Sequence, residues 1–171
     1  NKMKLLFKIF ILIFISINAF SETLVIGEVR DWIAARSDIG DKRTCFILSK
    51  PKSSKGDYKK DNRGAINVYV THGPDRDTTN VVSVEAGYSY KEQSQVTFKI
   101  DNKKPIYLVL TQKDRAWAES DELDSKIVSQ MKSGNKLVVS GTSSRGTKTE
   151  DTYSLFGFTA ALDLIDKACG R

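Results

Sequence analysis

The residues best equipped for chemistry lie together in Gly141-Thr142-Ser143-Ser144-Arg145-Gly146-Thr147, the richest polar stretch of the sequence. Ser143, Ser144 and Thr147 offer hydroxyls, the neighbouring backbone offers amides, and Arg145 adds a planar guanidinium, a combination suited to holding a carboxylate or a phosphate. The stretch lacks the Gly-Lys-Ser/Thr ending of a phosphate-binding loop and precedes a strand-like run rather than a helix, which excludes a nucleotide cradle. Ser143, Ser144, Arg145 and Thr147 are therefore the candidate ligand-binding residues. The competing reading is a hairpin loop whose side chains bond its own backbone, with Arg145 paired to Glu150 or Asp151 across the turn.

Other chemistry finds little support. The one histidine, His72, stands before Gly73-Pro74, and no Gly-x-Ser-x-Gly elbow accompanies it, so the expectation is a surface turn residue rather than a general base. Asp121, Glu122 and Asp124 read as the solvated start of a helix, since nothing apolar surrounds them to split their pKa values. Trp32 and Trp117 read as buried anchors of a sheet rather than a sugar-stacking platform. With a single histidine and two distant cysteines, zinc fingers and multi-histidine metal sites are excluded, and no cofactor or catalytic residue is assigned. An enzyme of unknown reaction working through the Ser143 to Arg145 loop is the alternative from a different class.

Those side chains must be carried by something, and the N-terminus says where the carrier is sent. Lys4 and Lys8 flank the apolar run Ile9 to Ile15, which ends in Ala19-Phe20-Ser21, the layout of a secretory signal cleaved after Ser21. The run is too short for a membrane span, and no cysteine follows it to take a lipid. Lys2, Lys4 and Lys8 fall in this segment and no acid does, so the excess of +6 drops to +3 for the mature chain. That is a solubilising surface, not the basic footprint of a nucleic-acid binder. The densest basic stretch, Lys50 to Arg63, reads first as a solvated loop and second as a surface for anionic lipid headgroups or glycans. In an exported chain Cys45 and Cys169 are expected to form a disulfide, closing a loop of about 125 residues and contributing at most about 4 to 5 kcal/mol.

A chain of 171 residues with 40% hydrophobic content fits one domain, from Glu22 to Arg171. Short apolar runs separated by turns dominate it: Leu24 to Ile33, Thr44 to Leu48, Ala65 to Val70, Val81 to Ala86, Val96 to Ile100, Ile106 to Leu110, Leu137 to Val139 and Thr152 to Leu155. The period of two in Ile66, Val68, Val70 and in Val96, Phe98, Ile100 indicates half-buried strands. Helical spacing appears twice, at Asp121 to Lys132 and at Phe158 to Cys169. The second stripe is expected to pack on the sheet and present Cys169 toward Cys45. The fold class is therefore mainly β, an antiparallel β-sandwich with two short helices, one of them C-terminal.

The segment from Gly141 through Thr147-Lys148-Thr149-Glu150-Asp151-Thr152-Tyr153-Ser154-Leu155-Phe156-Gly157-Phe158 to Cys169 resembles the C-terminal signature of the invasion-associated locus B family of exported bacterial proteins. Asp31-Trp32, Cys45, Gly87-Tyr88-Ser89-Tyr90, Val96 to Asp101, Trp117 and Lys126 to Lys132 follow that family in order and spacing. The resemblance implies a β-sandwich-like periplasmic or envelope-associated protein, with outer-membrane association or secretion as the alternatives, of an alphaproteobacterial type of organism, with a link to host-cell invasion in pathogenic relatives. It implies no catalytic residue and no cofactor. Some members carry a further cysteine pair in mid-domain, which this chain lacks. The expected role is a non-enzymatic binding module for an envelope or extracellular protein or glycan. Within the signature, the polar alternation from Thr147 to Ser154 reads as a strand for a sheet edge or exposed face, and Gly157 as the site of a sharp turn into the last helix.

Overall fold

The computed structural model describes residues 22–171; the expected signal segment, 1–21, lies outside them. Twelve strands form two antiparallel sheets. The larger has the order β1 (Glu22–Val29), β2 (Trp32–Ile39), β3 (Lys42–Ser49), β5 (Asn67–His72), β6 (Val81–Glu85), β10 (Arg115–Trp117) and β9 (Leu110–Gln112). The smaller runs β4 (Ser53–Gly56), β12 (Lys148–Ser154), β11 (Lys136–Thr142), β7 (Val96–Ile100) and β8 (Ile106–Leu108). Two helices complete the sandwich-like arrangement, α1 (Asp121–Ser133) and α2 (Phe158–Cys169).

Alternation explains which face of each strand is buried. Val68 and Val70 on β5, Val96, Phe98 and Ile100 on β7, and Leu137 and Val139 on β11 all enter a single core with Trp32, Ile47 and Tyr153. The stripe of α2, Phe158, Ala161, Leu162 and Ile165, is buried with them, and the helix lies against β1, β2, β3 and β5. Trp32 is the anchor expected: fully buried, edge-on to Phe158 at 5.0 Å, and donating from Nε1 to Ser154 O at 3.1 Å. Trp117 is only half-buried. Gly157 is required by its site. Its φ is +88°, and a Cβ there would stand 2.1 Å from the carbonyl oxygen of Val29. The Cys45–Cys169 disulfide forms as expected, with Cα atoms 6.1 Å apart, tying the end of α2 to β3.

Several expectations need correction. Leu24 to Ile33 is not one strand but the two arms of a hairpin, turned at Arg30, whose φ of 56° lets the chain reverse without a glycine to mark the place. β12 is not an edge strand, since β11 and β4 flank it, and its Thr149, Asp151 and Tyr153 face is buried. His72 is no surface turn residue. It ends β5, fully buried, with Nδ1 accepting from the amide of Asn80 at 3.1 Å and Nε2 2.7 Å from Asp166 on α2. Asp124 is buried within α1 rather than solvated. Arg63, assigned to a solvated loop, has a side chain only 4% exposed.

Candidate functional site

The polar stretch around Arg145 is the turn between β11 and β12, and its geometry follows from its own hydrogen bonds. Ser143 N donates to Thr147 O at 2.9 Å, Gly146 N to Ser143 O at 2.8 Å, and Thr147 N to Ser143 Oγ at 3.2 Å. This is the side-chain-to-backbone closure of a hairpin loop, and it makes the buried Ser143 a brace for the turn. Ser144, Arg145 and Gly146 remain exposed at its tip. Among the described residues Arg145 makes no hydrogen bond or ion pair. Its two expected partners are engaged elsewhere: Glu150 faces Lys55 at 3.9 Å, and Asp151 is bonded to Arg63.

The turn forms one wall of an open cleft of about 590 Å³, which brings Ser143, Ser144, Arg145 and Thr147 to one place. A second wall comes from the segment after β4, chiefly Tyr58, Lys59 and Arg63, and Tyr88 and Thr149 also line the cleft. The segment carrying Tyr88 is held by a close backbone approach: Gly64 N donates to Gly87 O at 2.9 Å, and a Cβ on Gly87 would meet Gly64 O at 2.6 Å. Tyr88 Oη lies 2.7 Å from Thr149 Oγ1, and burial raises the Tyr88 phenol above its ordinary range, so it stays a neutral hydrogen-bonding group.

Arg63 is the organiser of this wall. Its two Nη atoms reach the carboxylate of Asp151 at 2.9 and 2.6 Å, Nη1 also donates to Tyr58 Oη at 2.9 Å, and Nε donates to Ala86 O at 2.8 Å. Its guanidinium lies 5.1 Å from the centre of the Tyr58 ring and 5.0 Å from that of Tyr88. With its charge matched by Asp151, Arg63 shapes the cleft rather than charging it. The exposed charges that line the cleft are Lys59 and Arg145 against the single carboxylate of Asp57.

Sequence reasoning singled out the β11–β12 turn but missed Tyr58, Lys59 and the structural part played by Arg63. The one local signal was the basic stretch Lys50 to Arg63, in which Tyr58 is the only aromatic residue. No histidine lines the cleft, and the described residues contain no group of three or more His, Cys, Asp or Glu side chains placed to hold a metal ion. Among those residues no helix is long and apolar enough to cross a membrane.

Two antiparallel sheets, a C-terminal helix stapled to the larger one and a polar cleft at the β11–β12 turn define a disulfide-tied β-sandwich domain. The family model described as invasion associated locus B (IalB) protein matches residues 32–166, and the chain belongs to that family. Comparison with curated proteins and with solved structures gives no match.

Proposed function

We propose that the chain is an exported, non-enzymatic binding module of the bacterial envelope, which takes an anionic group of an envelope or extracellular partner into the cleft beside Arg145. The observation that supports this most directly is the guanidinium itself, exposed and uncommitted among the described residues, in one cleft with Ser144, Thr147 and Lys59. The residues around it suit binding more than turnover. The imidazole that a serine–histidine–carboxylate hydrolase triad would need is buried against Asp166 and Asn80, away from the lining of the cleft. The family's name supports placing the partner at or beyond the cell surface.

The test is titration of the isotopically labelled domain with glucuronate, a monomeric carboxylated sugar. Amide shifts should concentrate at Lys59 and at Ser144 to Thr147. Arg145→Ala should weaken binding about tenfold or more, as expected for a charged hydrogen bond worth about 1.5 to 3 kcal/mol, with the melting temperature nearly unchanged. Shifts scattered over the surface, or a large fall in melting temperature for the variant, would remove the cleft as an anion site.

A further inference from the structure

The cleft continues past the β11–β12 turn. A second open concavity of about 770 Å³ adjoins it and shares Ser89 and Ser144 in its lining. The second basin adds Lys91 and Lys113, with Glu92 as its one carboxylate, and all three side chains are exposed. Each basin thus presents two cations and one carboxylate, Lys59 and Arg145 with Asp57 in the first, Lys91 and Lys113 with Glu92 in the second. Three backbone bonds lock the basins together. Ser144 N donates to Ser89 O at 2.7 Å, Lys91 N to Thr142 O at 3.0 Å, and Tyr90 N to Lys113 O at 2.8 Å.

We infer that the two basins are one groove for an acidic oligosaccharide, seating successive anionic sugar units on either side of the saddle formed by Ser89 and Ser144. This rests on the reading of the first basin as an anion site and names its ligand class. A charge pattern that repeats along a groove matches a ligand whose charge repeats along a chain, and both volumes fall within the range of about 300 to 1,000 Å³ typical of small-ligand sites. The hydroxyls of Ser89, Ser144 and Thr147 both donate and accept, as sugar hydroxyls do. Tyr58, half-exposed at the wall, supplies an aromatic surface for a sugar ring. An acidic peptide fits less well. Extended peptides bind through main-chain pairing, and the amides of Ser143, Ser144, Gly146 and Thr147 are already bonded within the protein.

The experiment is calorimetric titration of the domain with galacturonate and with its linear α-linked dimer and tetramer, alongside tetraglutamate as a peptide of equal charge. The tetramer should bind about tenfold or more tightly than the monomer, because the second contact becomes intramolecular. The Lys91→Ala, Lys113→Ala double variant should lose that gain, binding the tetramer no more tightly than the monomer, and Arg145→Ala should weaken every length. A tetramer no tighter than a monomer that still binds would overturn the extended groove and leave the single anion site standing. Failure of every uronate to bind would remove the anion site and the groove together. Tetraglutamate binding as tightly as the tetrauronate, with the same dependence on Lys91 and Lys113, would overturn the assignment to a glycan.

Discussion

Asp124 shows how far one buried carboxyl can govern the response of this domain to pH. Beyond the last β10 pair, Trp117 opposite Ser83, the amide of Val82 donates to Asp124 Oδ1 at 2.9 Å. Burial pushes the Asp124 carboxyl up to about 6, the Val82 bond offsets part of the rise, and the neighbouring Asp121 charge adds to it. A carboxyl with a folded pKa above its unfolded value holds more protons in the native state between those two values. Stability therefore falls as pH rises from about 4 to about 6 and levels off above. The penalty at pH 7 is up to about 3 kcal/mol, at 1.36 kcal/mol per unit. Asp124→Asn keeps an oxygen acceptor for Val82 and removes the ionisation. Urea unfolding across that range should show the variant more stable than the parent at pH 7 and lacking the parent's decline between pH 4 and 6. A variant less stable at pH 7 with the decline intact would exclude Asp124 as its source.

At the scale of elements, the Arg63–Asp151 pair joins the two sheets, since Arg63 lies just before β5 in the larger sheet and Asp151 lies on β12 in the smaller. Both side chains are almost fully buried. Removing one partner leaves the other charge buried and unpaired, so Arg63→Ala should cost about 3 to 5 kcal/mol in chemical denaturation. The double change Arg63→Met with Asp151→Leu should cost less than Arg63→Ala alone, because apolar replacement of both charges removes the desolvation penalty. Equal losses would show that Arg63 acts through its packing against Tyr58 and Tyr88 instead.

This pair also marks the boundary of what the sequence discloses. The β7 and β11 strands and both helices are readable from local spacing, because each owes its form to a periodic apolar face meeting one core. The turn at Ser143 to Thr147 is readable because its polar residues are contiguous. Arg63 and Asp151 are 88 positions apart, and neither carries a local sign that the other will neutralise it. The same lack hid the second wall of the cleft. It also made β12 look like an edge strand: Asp151 appears too polar for the interior until its partner is placed. The three-residue strands β9 and β10 and the four-residue β4 are too short for alternation to declare them.

At the scale of the whole molecule, the C-terminus is tied down at several points. Besides the disulfide, Arg43 Nη1 donates to Ala168 O at 3.2 Å, Asp166 meets the buried His72, and Arg171 Nη2 donates to Gly73 O and Asp75 O, both at 2.8 Å. These contacts place α2 on the larger sheet without help from the sulfur atoms, so the disulfide stabilises chiefly by restricting the unfolded chain across its separation of 124 positions. Cys169→Ser should accordingly lower stability by about 2 to 5 kcal/mol while leaving the near-ultraviolet signature of the packed core in place. The bond also bears on the proposal of export, because a disulfide of this kind persists in an oxidising compartment and is rare in a reducing one. Protein recovered from the periplasmic fraction of an expressing cell should begin at Glu22 by intact mass, and non-reducing peptide mapping should recover Cys45 linked to Cys169. Residues 1 to 21 retained on that material would refute cleavage after Ser21. Free thiols in it would show that the domain folds and persists on its hydrogen bonds and core alone.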